Sequence, residues 1–173
     1  MKSVRRGSVA DLAAICELWN TVWPHHFRGL SEMTRELEMS RVECRPQFLL
    51  MKEDGKVIGS AEFNRDFGSF HPLKWHVSLC VHPNHRNRGV GSALLHEMMS
   101  VLQEAGATSI TTRVSDDDQA SMRFVQRRGY REVKRDFESE LDLTSVPKEF
   151  LNIDIECPAS TKSMRAVDSP RFR

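Results

Sequence analysis

The stretch of residues 75–95, WHVSLCVHPNHRNRGVGSALL, constrains the fold of this 173-residue chain more than any other. At its start, apolar residues recur at every second position, which is the period of a β-strand. Pro83 ends the strand, because proline offers no donor to a β-ladder. Beyond Gly91 the apolar residues fall at helical spacing as far as Leu102. The stretch therefore predicts a strand, a glycine-containing turn and a helix, in that order.

The turn that precedes this helix has the features of an anion site. The first backbone N–H groups of a helix lack intrahelical partners and carry the positive end of the helix dipole, so they bind anions. Two glycines remove side chains that would keep a phosphate away, and two arginines add positive charge. We therefore predict a phosphate-binding segment, the cradle, formed by Arg86, Asn87, Arg88, Gly89, Val90, Gly91 and Ser92.

Other phosphate-binding motifs fit the cradle less well. A Walker-type loop needs Lys followed by Ser or Thr after its second glycine, whereas Ser92 and Ala93 stand there. A dinucleotide-binding turn needs a third glycine where Leu94 stands, and an acidic residue about 20 positions further on. A nucleotide-binding regulator is therefore a weaker alternative, as is a strand–turn–helix whose glycines serve packing alone.

Length and composition favour one domain with a buried core, since 39% of the residues are hydrophobic. A formal net charge of +1 gives no electrostatic case for binding nucleic acid or an anionic membrane. No apolar segment follows the basic N-terminus, so we expect neither a signal peptide nor a membrane span. The cysteines are scattered, which favours a reduced, cytoplasmic protein; they are Cys16, Cys44, Cys80 and Cys157.

The rest of the chain alternates between predicted strands and helices. We assign residues 1–146 to one domain and residues 147–173 to a C-terminal extension that is expected to be poorly ordered. Within the domain, helices are expected at about residues 8–23, 31–44, 92–105 and 119–128, and strands at about residues 4–6, 46–51, 57–63, 75–81, 109–114 and 130–143.

The cradle and its surroundings resemble the acyl-CoA-binding signature of the GCN5-related N-acetyltransferases. The resemblance rests on Arg86-x-x-Gly89-x-Gly91 after a strand that ends in Val-His-Pro, and on the order of elements over about residues 3–143. It implies an α+β, three-layer acyl-CoA N-acyltransferase fold, with a mixed, mostly antiparallel sheet of about six or seven strands and about four flanking helices. Residues 138–143 also resemble, more weakly, the first repeat of members with two tandem acetyltransferase domains.

The resemblance implies a transferase that moves an acetyl group from acetyl-CoA directly to a primary amine, without a metal. The cradle would hold the coenzyme pyrophosphate, and Asp118 stands where the family often has an Asn that contacts the coenzyme. A backbone N–H of the central strand, around Leu79, Cys80 and Val81, would polarise the thioester carbonyl beside the pantetheine. The alternative is a degenerate domain that binds acyl-CoA without turnover, as a sensor or interaction module.

The catalytic residues follow the family pattern less closely. The family usually places a Tyr, as general acid, four residues before the glycine of a Gly-Phe/Tyr pair, and Val125 occupies that position. Ser121, one helical turn earlier, is a candidate substitute; a thiolate can also leave with water's help, because an alkyl thiol has a pKa of about 8.5. For the general base we select His76, because histidine titrates near neutral pH. Other candidates, each more often an ordinary polar residue, are Glu62, His25 and His26.

Two further clusters carry weaker signals. His82 and His85 lack the additional ligands that a metal needs, so we expect no metal site. As partners we expect acetyl-CoA and an amine acceptor, with neither nucleic acid nor membrane, and a homodimer as an option. A cationic run is typical of a solvated face, with contact to the coenzyme ribose phosphate as the alternative; it comprises Arg123, Arg127, Arg128, Arg131, Lys134 and Arg135.

Overall fold

The chain forms two compact units, Met1–Arg128 and Gly129–Arg173. All the regular elements described below belong to the first unit. The domain boundary expected near residue 146, and the extension expected over residues 147–173, lie outside the described part of the chain. The computed structural model describes residues 3–65, 71–137, 139, 141–142 and 144.

Among these residues the chain forms five strands and four helices. The strands are β1 (Val4–Arg6), β2 (Gln47–Glu53), β3 (Lys56–Arg65), β4 (Lys74–Val81) and β5 (Ser109–Thr111). The helices are α1 (Leu12–Val22), α2 (Leu30–Met39), α3 (Val90–Glu104) and α4 (Gln119–Gln126). Short 3₁₀ turns occur at Val9–Asp11, Val42–Cys44 and Pro83–His85.

The strands form one sheet in the order β1-β2-β3-β4-β5. Neighbours from β1 to β4 are antiparallel, whereas β4 and β5 are parallel. The β2–β3 hairpin turns at Asp54 and Gly55, whose φ angles of 50° and 77° suit the two-residue turn that matches strand twist. This mixed, mostly antiparallel sheet confirms the predicted fold class, with five strands among the described residues against the six or seven expected.

Helices cover both faces of the sheet. Helix α3 packs on one face through Leu94, Met98 and Leu102, which recur every four residues and are at most 1% exposed. The sheet residues beneath them include Phe63 and Val77. On the opposite face, α1 and α2 form a second core with β2, made of Leu12, Ile15, Cys16, Met33, Phe48 and Leu50. The three-layer arrangement follows from these two apolar clusters.

Three elements end earlier than their sequence patterns predicted. Helix α2 stops at Met39, because the next residue is extended and Val42–Cys44 forms a separate 3₁₀ turn. Strand β5 ends at Thr111 rather than at residue 114, and α4 ends at Gln126. A local pattern does not mark the point where a strand loses its neighbour, and this is why β5 was predicted too long.

The last predicted strand, residues 130–143, does not form in the part of it that the structure describes. Residues 131–137 have no regular structure, and all of them are exposed. The segment is dominated by charged side chains, and its two apolar members, Val133 and Phe137, are 76% and 88% exposed. With no apolar face to bury, this segment gains little from joining a sheet. The prediction was therefore wrong for 131–137; outside the described residues lie positions 138, 140 and 143.

Candidate functional site

The sheet opens between β4 and β5. Strand β5 pairs with the first three residues of β4 only, and its last paired residue is Thr111, opposite His76. On its other edge β4 remains paired with β3 as far as Val81. From Val77 to Val81, therefore, no described strand pairs with the β5-facing edge of β4. The predicted pantetheine-binding residues Leu79, Cys80 and Val81 lie along this opening.

The cradle follows directly from the open end of β4. Asn87 and Gly89 adopt positive φ angles of 59° and 80°, and Gly89 caps the start of α3. The first intrahelical bond of α3 is donated by Ala93 N–H to the Gly89 carbonyl, at 2.9 Å. The N–H groups of Val90 and Gly91 therefore precede the first bonded turn, as does that of Ser92. A left-handed glycine at this point favours the sharp entry into the helix that exposes these groups.

Close packing fixes the start of α3 against the sheet. A Cβ atom on Gly59 of β3 would lie 2.6 Å from Val90 Cγ1, so only glycine permits this approach. Val90 as a whole is 2% exposed and belongs to the core, so Gly91 and Ser92 are the more accessible residues of this first turn. A Cβ atom on Gly91 would meet Leu79 at 3.5 Å and Phe124 of α4 at 3.4 Å. The cradle is thus wedged between β3, β4 and α4.

Arginines surround the cradle from two parts of the chain. Arg86 and Arg88 are exposed, and Arg86 Nε donates to the Val81 carbonyl at 3.4 Å. Arg128, just beyond the end of α4, donates through Nη2 to the Ser92 hydroxyl at 2.8 Å. The sequence placed Arg128 in a cationic run without distinguishing it from its neighbours. No local pattern signals its contact with Ser92, because the two residues are 36 positions apart.

Cys80 is a structural thiol on the polar face of β4. Its side chain is buried, and its sulfur lies 3.0 Å from the hydroxyl oxygen of Ser60, its partner across the strands. Burial raises the pKa of the Cys80 thiol to about 11. A thiol with such a pKa is protonated at neutral pH and is a poor nucleophile. The buried, protonated thiol therefore serves packing rather than chemistry, as is usual for a cysteine on a strand.

His76, the candidate general base, lies at the fork where β4 and β5 separate. Its Nδ1 atom is 3.4 Å from the Thr111 hydroxyl oxygen, and its side chain is partly buried. Across the strands it is paired with Asn64 of β3. Glu62, the other strand-borne candidate, is paired with Ser78 on the same face. Polar side chains therefore line the α1-side face of the two central strands next to the opening.

Ser121 and Asp118 together cap the start of α4. The Ser121 hydroxyl donates to Asp118 Oδ2 at 2.6 Å, and the Ser121 N–H donates to Oδ1 at 3.0 Å. Burial opposes ionisation of this carboxyl, but the two bonds from Ser121 and the charge of Arg86 lower the pKa of Asp118 below its ordinary value. The hydroxyl proton of Ser121 is thus engaged by a carboxylate. This bond favours a capping role for Ser121 over the general-acid role that the sequence suggested.

A partly buried arginine organises the opposite side of the site. Arg28, in the loop between α1 and α2, donates to Glu62 at 2.8 Å and to Glu36 at 2.5 Å. Its guanidinium also lies 5.2 Å from the centre of the Trp19 ring. Burial works against the charge, yet the bonds to these carboxylates raise the pKa of Arg28. Asn20 holds the backbone of Arg28 through two further bonds, so the loop is fixed above Glu62.

Four other histidines lie in loops and short turns. His25 and His26 are exposed in the α1–α2 loop. His82 Nδ1 accepts from the Asn84 N–H at 3.3 Å, and His85 Nδ1 lies 3.0 Å from a carboxylate oxygen of Glu53.

Within the described ranges, no group of three or more His, Cys, Asp or Glu residues is arranged to hold a metal ion. None of the helices described is both long and apolar enough to cross a membrane.

Comparison with known sequences points to one family. A family model described as the acetyltransferase (GNAT) family matches residues 12–130. The chain is 28% identical, over 137 residues, to the L-amino acid N-acyltransferase MnaT of Escherichia coli (strain K12), covering 74% of this chain and 78% of that protein. It is also 28% identical, over 136 residues, to an L-methionine sulfoximine/L-methionine sulfone acetyltransferase of Salmonella typhimurium, covering 74% of this chain and 79% of that protein.

Solved structures share the fold at lower identity. An N-acetyltransferase from Staphylococcus aureus Mu50 superposes with a TM-score of 0.65 at 19% identity, covering 78% of this chain and 86% of the other. The aminoglycoside N-acetyltransferase AAC(6')-Iy, solved in complex with CoA, gives a TM-score of 0.64 at 18% identity and covers 82% and 95%. At such identities the likeness shows a common fold and leaves the acceptor undefined.

Proposed function

This chain belongs to the acetyltransferase (GNAT) family, and we propose that it moves an acetyl group from acetyl-CoA to a primary amine. One observation carries the proposal: the open edge of β4 leads directly into the cradle. If the pantetheine arm of acetyl-CoA lay along the open edge of β4, its pyrophosphate would reach the cradle. The positive charges of Arg86 and Arg88 complement the negative charge of that pyrophosphate.

In the proposed binding mode, backbone groups of Leu79, Cys80 and Val81 pair with the amides of the pantetheine. The N–H groups at the start of α3 hold the pyrophosphate, with Asn87 shaping the turn and Asp118 beside Arg86. A backbone N–H of β4 then stabilises the oxyanion that forms when the amine attacks the thioester carbonyl. Such a fixed donor contributes about 3 kcal/mol to the transition state.

We propose His76 as the general base that takes the proton from the attacking amine. It lies beside the opening and belongs to the polar face that carries Glu62. Glu62 is the less suitable base, because Arg28 already bonds to both of its carboxylate oxygens. The C–S bond of the tetrahedral intermediate then breaks, and the thiolate of CoA leaves.

Protonation of the leaving thiolate is assigned to water. Val125 has no proton to donate, and the hydroxyl proton of Ser121 is bonded to Asp118. A positioned general acid contributes about 10²–10⁴-fold to a rate, so its loss slows the reaction without preventing it. We therefore expect slow turnover. Replacing Ser121 is expected to change the turnover rate little.

The alternative is a domain that binds acyl-CoA without transfer, as a sensor or interaction module. Val125 favours this alternative, because the usual general acid is missing. The two functions share the cradle and differ only in turnover. They are therefore separated by measuring binding and transfer on the same sample.

The test combines calorimetry with CoA and release of free thiol from acetyl-CoA in the presence of single amines. The amine panel includes L-methionine sulfoximine, other L-amino acids, an aminoglycoside and a polyamine. Transfer to any one of them supports the enzyme. Binding of CoA with no transfer to any amine supports the sensor, and binding of ATP or NAD that CoA does not displace contradicts both.

A matched pair of variants tests whether the cradle is the binding site. Arg86→Gln is expected to weaken CoA binding about tenfold, the usual loss for one charge-assisted hydrogen bond. Arg35→Gln removes the same charge from an exposed position on α2 and is expected to leave binding within about twofold. Equal effects of the two changes would show that net charge, rather than the cradle, governs binding.

A further inference from the structure

We infer that Arg128 binds a phosphate group of the coenzyme and is a third cation of the cradle, beside Arg86 and Arg88. The inference rests on the proposed function, since it takes acyl-CoA as the ligand. Neither the family match nor the cradle motif assigns a role to Arg128. It stands just after α4, whereas the motif lies before and within the first turn of α3.

The position of Arg128 is defined by its bond to Ser92. The Nη2 atom donates to the Ser92 hydroxyl at 2.8 Å, and Ser92 lies in the first turn of α3. The guanidinium is therefore next to the N–H groups at which an anion capping α3 would sit. A phosphate bound there can accept from Arg128 and from the helix start together.

The orientation of Arg128 is held by α4. Its guanidinium lies 3.5 Å from the centre of the Phe124 ring, and its Nη1 atom donates to the Phe124 carbonyl at 2.9 Å. The Phe124 ring in turn lies near the cradle, since a Cβ atom added to Gly91 would meet it at 3.4 Å. Arginine held over an aromatic ring loses less side-chain freedom when it binds a phosphate, because its plane is already set.

Arg127 supplies a matched control for Arg128. It caps the end of α4, and its N–H still donates to the Arg123 carbonyl at 3.2 Å, whereas the Arg128 N–H donates to Val125, three residues back, at 3.0 Å. Both arginines are exposed. Among the described residues, Ser92 of the cradle is bonded by Arg128 and not by Arg127. Arg127 therefore has the same charge at the neighbouring position without the contact that carries the inference.

Phosphate chemistry explains why a third guanidinium is useful. Acetyl-CoA carries a pyrophosphate and, on its ribose, a 3′-phosphate. A guanidinium fork binds two phosphate oxygens at once, which makes arginine more selective for phosphate than a point charge. Either phosphate supplies this chemistry to Arg128. On binding, the guanidinium would exchange the Ser92 hydroxyl for a phosphate oxygen or would hold both.

The test measures the dissociation constants of CoA and of 3′-dephospho-CoA by calorimetry. The full-length wild type is compared with Arg128→Gln, Arg128→Lys and the control Arg127→Gln, and thermal melts verify that each variant is folded. Arg128→Gln is expected to weaken CoA binding about tenfold, the usual loss for one charge-assisted bond. Arg128→Lys is expected to recover part of the loss, because the charge remains and the fork is gone. Arg127→Gln is expected to change binding less than about twofold.

Each outcome is decisive. If Arg128→Gln weakens CoA and leaves 3′-dephospho-CoA unchanged, Arg128 binds the 3′-phosphate; if it weakens both equally, Arg128 binds the pyrophosphate. If Arg128→Gln and Arg127→Gln behave alike, the inference is overturned while the proposed function stands. If the wild type does not bind CoA at all, the proposed function fails and the inference fails with it.

Discussion

Gly59 lies directly beneath Val90: a Cβ atom on Gly59 would approach Val90 Cγ1 to 2.6 Å and Leu94 Cδ1 to 2.9 Å. This contact joins the third strand of the sheet to the first turn of α3. The absence of a side chain on Gly59 therefore sets the depth at which the cradle sits against the sheet. A glycine in a hairpin strand thus affects the position of the cradle, about thirty residues further along the chain.

Gly59→Ala is expected to lower the free energy of unfolding by about 1–3 kcal/mol, because the added methyl group overpacks a filled core. It is also expected to weaken CoA binding, since α3 must shift to relieve the contact. Urea unfolding and calorimetry measure the two effects. Gly29→Ala is the matched control, because a Cβ atom there meets nothing closer than 3.8 Å. Loss of stability with unchanged CoA affinity would show that the cradle does not depend on this contact.

Cys80 is expected to resist alkylation in the folded protein. Burial raises the pKa of the Cys80 thiol to about 11, so that at pH 8 only about one thiol in a thousand is ionised. Labelling with iodoacetamide should therefore mark Cys44, which is partly exposed, well before Cys80. The Cys80 rate should rise as the pH approaches the pKa. An acetyl group found on Cys80 by mass spectrometry would contradict direct transfer.

Asp11 is expected to make folding stability depend on acid pH. The hydrogen bond from Arg5 lowers the pKa of Asp11 well below its usual range, against the opposing effect of burial. Because the pKa of Asp11 is lower in the folded state, its ionised carboxylate stabilises the fold at pH values above the unfolded-state pKa of about 3.9. This stabilisation is lost as the pH falls below that value toward the folded-state pKa. Asp11→Asn should therefore cost about 1.5–3 kcal/mol at pH 7, the value of hydrogen bonds to a charged group, and less at pH 3.

The control for this prediction is Asp54→Asn in the exposed β2–β3 turn. Asparagine accepts the positive φ of 50° at this position, so a change below about 0.5 kcal/mol is expected at either pH. Urea unfolding at pH 7 and pH 3 gives the comparison. A deficit of Asp11→Asn that is the same at both pH values would mean that packing, and not the ionised carboxylate, is responsible.

Arg28→Met is expected to destabilise the protein by about 3 kcal/mol, because it leaves the largely buried carboxylate of Glu62 without its partner. The side chains of Arg28 and Glu62 are only 16% and 15% exposed. Adding Glu62→Gln to Arg28→Met should recover part of the loss, since the unpaired charge is then removed. Arg35→Met, on the exposed side of α2, serves as control. If the double variant is no more stable than Arg28→Met alone, the charge is not the source of the loss.

The start of α3 could be predicted from the sequence, because its determinants are local. Gly89 supplies the left-handed turn, Pro83 ends the strand before it, and Leu94 begins the apolar stripe. The β2–β3 hairpin could be predicted for the same reason, from Asp54 and Gly55. In these segments the backbone conformation is set by residues within a few positions of each other.

Contacts between distant segments could not be predicted in this way. The bond from Arg128 to Ser92 and the ion pair of Arg28 with Glu62 join residues more than thirty positions apart. The end of β5 at Thr111 depends on where a neighbouring strand departs, and its own residues do not encode that. Residues 131–137 show a different error, since a strand was predicted over 130–143 although this part of it has no apolar face to bury.

The opening between β4 and β5 also bears on the tendency of this protein to associate with itself at high concentration. A strand edge that lacks a neighbour is a template on which any extended peptide can pair, including one from another copy of the same chain. From Val77 to Val81 the described fold leaves such an edge beside a well-packed core. Ligand amides and foreign strands would compete for the same row of donors and acceptors. If acyl-CoA binds along this edge as proposed, the bound coenzyme would cover it, and the protein without coenzyme would associate with itself more readily.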